Sequence, residues 1–158
     1  LHEKINNVIR DLTTAKKIDG INQNVKIVFH TNESSTVFAD KIRIYQVINN
    51  LIRNAAKFTN GDQAKIEIIL EKVKKDKKDN EWISVKISDN GTGIEPDILP
   101  RLFSKFTTKS EFGGTGLGLY ISKKIIEAHG GTIRGYNNQN GEKKGATFEF
   151  ILPLYKSK

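Results

Sequence analysis

Residues 43–58 carry two messages on one helix, and no other stretch restricts the fold as tightly. With Arg43 as zero and roughly 100° per residue, Ile44, Val47, Ile48, Leu51, Ile52, Ala55 and Phe58 fill an arc from roughly 40° to 180°. Such an arc must be buried against another layer, so the helix has to lie on a sheet or a second helix. Gln46, Asn50, Asn54 and Lys57 form a narrow polar stripe beside it, within roughly 60° on one side of Arg43 and 20° on the other. Asn is a mediocre helix former because its amide competes for backbone groups. Two of them a turn apart, in line with a lysine, point to a directed polar site. An amide oxygen is a hard neutral ligand that suits Mg²⁺ when nucleotide phosphates supply the negative charge. Lys57 could meet the same phosphates as a point charge. The alternative is a solvated face with incidental amides, and the helix alone does not separate the two.

The rest of the chain supplies the sheet. Asp40 is placed to cap this helix, and Thr59, Asn60 and Gly61 break it. Residues 2–17 have apolar positions at Ile5, Val8, Ile9, Leu12 and Ala15, which is a helical spacing. Val25 to Phe29 alternates like a half-buried strand, with Thr36 to Phe38 as a short partner. Ala64 to Val73 and Trp82 to Ser88 read as two strands joined by a lysine-rich tip. Glu95 to Phe103 reads as a short helix, Thr107 to Gly116 as a mobile loop, and Leu117 to His129 as a second long helix stopped by Gly130 and Gly131. Strands near Thr132 to Tyr136 and Ala146 to Leu152 close the order, which implies one sheet with helices covering a single face. No internal repeat and no domain boundary after residue 20 is visible.

Composition narrows the class. At 158 residues, 37% hydrophobic and 28% charged, the chain fits one soluble globular domain. No apolar run is long enough to span a bilayer, and the amphipathic start is no signal peptide. The chain begins without Met, so a fragment of something longer is expected. The absence of cysteine excludes disulfides, thiolate metal sites and cysteine nucleophiles, and fits the cytosol. The formal charge of +8 admits a nucleic-acid partner. The densest basic run, Lys72 to Lys78, is interrupted by Asp76 and reads better as a solvated hairpin tip.

Two glycine-rich turns add chemistry. Asp89-Asn90-Gly91-Thr92-Gly93-Ile94 directly follows an apolar strand. A carboxylate fixed there can accept a hydrogen bond from the amino group of adenine, where guanine presents a carbonyl. Gly91 and Gly93 would let the backbone approach a planar ring. By itself the sequence is also a common turn. Gly113-Gly114-Thr115-Gly116-Leu117-Gly118-Leu119 opens a helix, where free N–H groups and the positive dipole end favour a phosphate. The spacing is neither the dinucleotide fingerprint nor the Walker pattern, since position 119 is Leu and no Gly-Lys pair occurs.

In this order the pieces resemble the catalytic domain of sensor histidine kinases, within the group that includes gyrase and MutL ATPases. Asp40 to Thr59 is similar to the N box, Asp89 to Ile94 to the G1 box, Leu102 to Phe106 to the F box, Gly114 to Leu119 to the G2 box, and Gly145 to Phe148 to the G3 element. The resemblance runs from about Ile5 to Pro153. It implies the Bergerat ATP-binding fold: an α+β two-layer sandwich, with a mixed, mostly antiparallel sheet of about five strands and about three helices on one face. It divides the chain into residues 1–17, a helical connection from a dimerisation and phosphoacceptor domain, and residues 18–158, the catalytic domain.

The resemblance also implies roles. Asn54 would bind Mg²⁺, with Asn50 and Lys57 near the phosphates of ATP. Asp89 would hold the adenine amino group, helped by Thr147, and Phe58 would stand against the base. Gly91, Gly93 and Ile94 would shape the turn. Gly114, Thr115, Gly116, Leu117, Gly118 and Leu119 would form the phosphate loop. Phe103 and Phe106 would anchor a lid from Thr107 to Gly113, whose Lys109 would reach the γ-phosphate; ordinary core aromatics and a solvated lysine are the competing readings.

Asn50 separates transfer from hydrolysis. In hydrolysing relatives this position is typically Glu, which activates water, whereas an amide cannot act as a general base at neutral pH. The expectation is therefore γ-phosphoryl transfer to a histidine on a separate domain. Of His2, His30 and His129, only His2 is followed by Glu, as in the family's acceptor pair, but it lacks the downstream Pro. The alternatives are an ATPase or protein serine kinase of the same fold, and a nucleotide-binding pseudokinase. Expected partners are the histidine-bearing dimerisation domain and a response regulator, with no nucleic acid. A cytoplasmic location, including the cytosolic part of a membrane receptor, and a monomeric isolated domain are expected.

Overall fold

The computed structural model describes residues 2–14, 25–31, 35–59, 61–75, 80–107, 115–139 and 144–155. Its elements in chain order are β1 (His2–Lys4), α1 (Ile5–Thr14), β2 (Lys26–Thr31), β3 (Thr36–Phe38), α2 (Lys41–Lys57), β4 (Lys65–Lys74), β5 (Glu81–Asp89), α3 (Gly118–Ala128), β6 (Thr132–Asn137) and β7 (Ala146–Pro153), with a 3₁₀ turn at Leu99–Arg101 before α3.

Five strands form one mixed sheet in the order β2-β4-β5-β7-β6. β2 runs parallel to β4 and every other pairing is antiparallel. Period-two alternation puts Ile66, Ile68 and Leu70 of β4, Ile83, Val85 and Ile87 of β5, and Phe148, Phe150 and Leu152 of β7 into the core. On this face α1 packs against β2, α2 against β4 and β5, and α3 against β6 and β7. The apolar arc of α2 is its buried side: Ile44, Val47, Ile48, Leu51, Ile52 and Ala55 are at most 1% exposed. The other sheet face is polar. There Lys86 pairs with Glu71, and Glu149 accepts from both Ser84 and Arg134. The two-layer α+β architecture is the one expected.

Both long helices have definite ends. The Asp40 carboxylate accepts from Ile42 N at 2.9 Å and Arg43 N at 3.2 Å, so it caps α2 as the sequence predicts. The Asp40 amide donates to His129 Nε2 at 3.1 Å, while His129 Nδ1 lies 2.7 Å from the Ile125 carbonyl. The two partners fix one tautomer, with the proton on Nδ1, and His129 thereby joins the end of α3 to the start of α2. Gly130 follows at φ 76, the left-handed position that ends a helix.

Three local expectations differ from the structure. The first helix starts at Ile5, and His2–Lys4 instead pairs antiparallel with β3. Consequently β3 is partnered by β1, and by a bridge from Val37 to Leu154, rather than by β2, whose neighbour is β4. The segment 95–103 holds hydrogen-bonded turns and a short 3₁₀ stretch at Leu99–Arg101, because Pro100 removes an amide donor that a continuous helix would need and crowds the carbonyl four residues before it. Residues 15–17 of the expected first helix, the hairpin tip 76–79 and most of the expected lid fall outside the described residues.

Candidate nucleotide site

The polar stripe of α2 faces the start of α3. Asn50 Nδ2 donates to the Gly118 carbonyl at 3.5 Å and to Ser122 Oγ at 3.4 Å. Gly118 lies close enough that a β-carbon there would touch the Asn50 amide at 3.9 Å, ordinary contact. Asn54 and Lys57 continue the stripe, both half-buried, and Lys57 Nζ sits 5.8 Å from the centre of the Phe58 ring. Leu117 is the N-cap residue of α3, and among the described residues no side chain caps that helix start. The first N–H groups of any helix have no partner within it and carry the positive end of its dipole. One side-chain contact occurs just before α3, from Leu117 N to Thr115 Oγ1 at 3.4 Å.

Asp89 ends β5, and the turn after it meets the end of α2 at Phe58; the candidate opening lies between that turn, α2 and the start of α3. Its carboxylate is 5% exposed, and Oδ1 accepts from Gly91 N at 2.9 Å and Ala146 N at 3.3 Å. Burial pushes its pKa above the ordinary carboxylate value, and the two amide hydrogen bonds pull partly against that. Such a carboxylate has Oδ1 anchored by two backbone amides, and its burial would strengthen a hydrogen bond to Oδ2. A base amino group would supply the donor.

The turn after Asp89 is locked to its surroundings. Thr92 N donates to the Phe58 carbonyl at 3.2 Å, and a β-carbon on Gly91 would lie 2.0 Å from that oxygen. Gly93 has φ 80, and Ile94 is held at both backbone groups by the Asn137 amide, at 2.6 and 2.9 Å. Asn90 turns the other way, accepting from Lys65 N and donating to the Gln63 carbonyl.

The two ends of the expected lid meet. Phe106 has φ 59 and is 70% exposed, and a β-carbon on Gly116, itself at φ 68, would come within 2.7 Å of the Phe106 backbone. Phe103 is different: its ring meets Phe148 edge-on at 6.5 Å, so it packs against the core. Leu119 also packs against the core cluster. Lys109 and Gly114 lie outside the described residues.

Thr147 is not brought to the Asp89 carboxylate. Its hydroxyl lies 2.7 Å from Ser88 Oγ and 2.6 Å from Asn138 Oδ1, on the sheet face away from the helices. The residue of β7 beside the carboxylate is Ala146. Strand alternation dictates this: with Ala146, Phe148 and Phe150 all buried toward the helices, Thr147 must point the other way. Sequence reasoning also passed over Asn137, Asn138 and Ser122. The first two looked like ordinary turn residues, and the signal that could have marked them is a pair of amides at the end of a strand.

The donor set fits a nucleotide with its cation. Among the described residues no group of three or more His, Cys, Asp or Glu could hold a metal. The half-buried Asn54 amide on the α2 stripe is the kind of neutral oxygen donor a hard ion takes when phosphate oxygens supply the charge.

Residues 39–156 match the family described as histidine kinase-, DNA gyrase B- and HSP90-like ATPase. The chain belongs to that family. It is 39% identical over 132 residues to the sensor protein FixL of Bradyrhizobium diazoefficiens, an alignment covering 83% of this chain and 25% of FixL. The catalytic domain of histidine kinase ThkA superposes with a TM-score of 0.76 at 33% identity, covering 97% of this chain and 96% of that one. The mycobacterial sensor histidine kinase MprB, at 20% identity and TM-score 0.84, shares the fold across 99% of this chain and 100% of that one. The chain thus corresponds to a histidine kinase catalytic domain, and spans about a quarter of FixL's length.

Proposed function

We propose that the chain binds ATP between α2, the Asp89–Ile94 turn and the start of α3, and delivers the γ-phosphoryl group to a histidine on another domain. The observation that carries this reading is the meeting of Asn50, on the α2 amide stripe, with Gly118 and Ser122 at the start of α3, with the buried Asp89 beside the far end of α2. Asp89 would select adenine, Phe58 would lie against it, and the N–H groups around Gly116, Leu117 and Gly118 would meet the phosphates. Asn54 would hold Mg²⁺, which offsets phosphate charge, and Lys57 would add a positive charge nearby.

Asn50 favours transfer over hydrolysis. Its amide donates to Gly118 and Ser122 and has no basic nitrogen or carboxylate with which to activate water. The nucleophile would be an imidazole nitrogen that attacks the γ-phosphorus while the bond to the bridging oxygen breaks and ADP leaves. That histidine would sit on a dimerisation domain to which residues 1–17 connect, and a response regulator would receive the phosphoryl group next. No helix among the described residues is long and apolar enough to cross a membrane.

The test is radiolabelled transfer. With ATP labelled at the γ-phosphate and a dimeric histidine-bearing acceptor domain, label should appear on the acceptor as an acid-labile, alkali-stable adduct. Fast release of inorganic phosphate without acceptor labelling would instead favour the ATPase reading.

A further inference from the structure

The last residue of β6, Asn137, and the residue after it, Asn138, send their side chains to opposite faces of the sheet and grip opposite ends of the Asp89–Ile94 turn. Asn137 acts on the helix side. Its Oδ1 accepts from Ile94 N at 2.6 Å and its Nδ2 donates to Ile94 O at 2.9 Å, as a neighbouring strand would. Asn138 acts on the other side, donating from Nδ2 to the Asp89 carbonyl at 2.9 Å. The β5–β7 ladder stops at Ser88 and Thr147, one residue short of Asp89. The Asn138 amide therefore supplies the hydrogen bond that the ladder no longer provides.

The orientation of Asn138 is itself fixed. The Asp89 carbonyl can only accept, so Nδ2 must face it and Oδ1 must face Thr147. Thr147 donates to Oδ1 at 2.6 Å, which leaves Ser88 to donate to Thr147 at 2.7 Å. Gly145 closes the same corner. Its amide oxygen accepts from Asn138 N at 2.9 Å, and a β-carbon on it would fall 1.9 Å from the Asp89 carbonyl. The relay Ser88–Thr147–Asn138 thus ends on the backbone of the residue whose carboxylate accepts from Gly91 and Ala146.

We propose that Asn138, held by Thr147, and Asn137 are positioning residues for base selection: they fix the backbone on either side of the turn and so aim the Asp89 carboxylate. The proposal rests on the reading of this opening as an adenine site. It also gives Thr147 a role behind Asp89 in place of direct contact with the base.

The experiment compares ATP with inosine triphosphate, which differs at the position where adenine carries its amino group, and uses tripolyphosphate as a probe of the phosphate side alone. Binding to the parent chain, Asn138→Ala, Asn137→Ala and Thr147→Val is measured by calorimetry, with melting temperatures alongside. The parent should prefer ATP over inosine triphosphate by about tenfold or more. In the variants that ratio should fall at least about threefold through weaker ATP binding, with tripolyphosphate affinity unchanged. If the variants melt lower yet keep the parent's ratio, the residues are merely structural and the proposal fails. Thr147→Val decides the matter even if an asparagine variant does not fold, since valine keeps the shape and removes only the hydroxyl. A parent that does not distinguish the two nucleotides overturns the adenine reading and this proposal together. A discriminating parent with equally discriminating variants overturns this proposal alone.

Discussion

The carbonyl oxygen of Phe58 lies where a β-carbon on Gly91 would have to go, 2.0 Å from that position. The last turn of α2 and the turn after β5 are therefore in direct backbone contact, reinforced by the hydrogen bond from Thr92 N to the same oxygen. Two walls of the opening are built as one piece by this contact.

Gly91→Ala should separate them. The clash is with backbone, which cannot rotate away, so the variant should lose about 1–3 kcal/mol of stability. Denaturant unfolding would read that loss, and ATP titration should show weakened binding, because Phe58 and Asp89 would no longer keep their spacing.

Asp89→Asn should trade function for stability. Burial raises the Asp89 pKa above its ordinary value of 3.8, so the folded state binds this proton more tightly than the unfolded state does. Its contribution to stability is then greatest below the unfolded value, declines as pH rises through the folded value, and is flat beyond. Asparagine has no such window and can still accept from Gly91 and Ala146. Melting curves from about pH 3.5 to about pH 7 should show the variant gaining on the parent as pH rises, then holding its advantage.

The cation claim can be tested by removing the metal. ATP affinity of the parent should fall in excess EDTA by on the order of tenfold, or ~1.4 kcal/mol. Asn54→Ala should show the weaker affinity with or without Mg²⁺. A variant that still responds to the metal would place the ligand elsewhere.

Asp40→Ala provides a contrast, since Asp40 caps α2 far from the opening. Loss of the cap should cost about 1 kcal/mol. The melting temperature should drop by roughly 2–4 °C, with ATP affinity unchanged.

How far the sequence speaks for itself varies along the chain. In α2 the periodic apolar arc named the buried residues from Ile44 to Ala55, because these follow from helix geometry, whereas the meeting of Asn50 with α3 depends on the fold. β1 was not legible: His-Glu-Lys has no alternation, and its pairing with β3 depends on where the chain returns. Thr147 is set away from the Asp89 carboxylate for a readable reason, since alternation with the buried Phe148 and Phe150 commits its side chain to the opposite face. Asn137 and Asn138 could not be singled out, because their partners are backbone groups more than forty residues away, and only the folded sheet brings them together.

The most direct test of the account is a calorimetric titration of Mg²⁺–ATP into the parent chain and into Asp89→Asn, each first shown to be folded by its melting curve. The account predicts saturable, stoichiometric binding by the parent and severe loss in the variant, despite its equal or greater stability. If the variant binds ATP as tightly as the parent, Asp89 does not hold the base and the site assigned here is wrong.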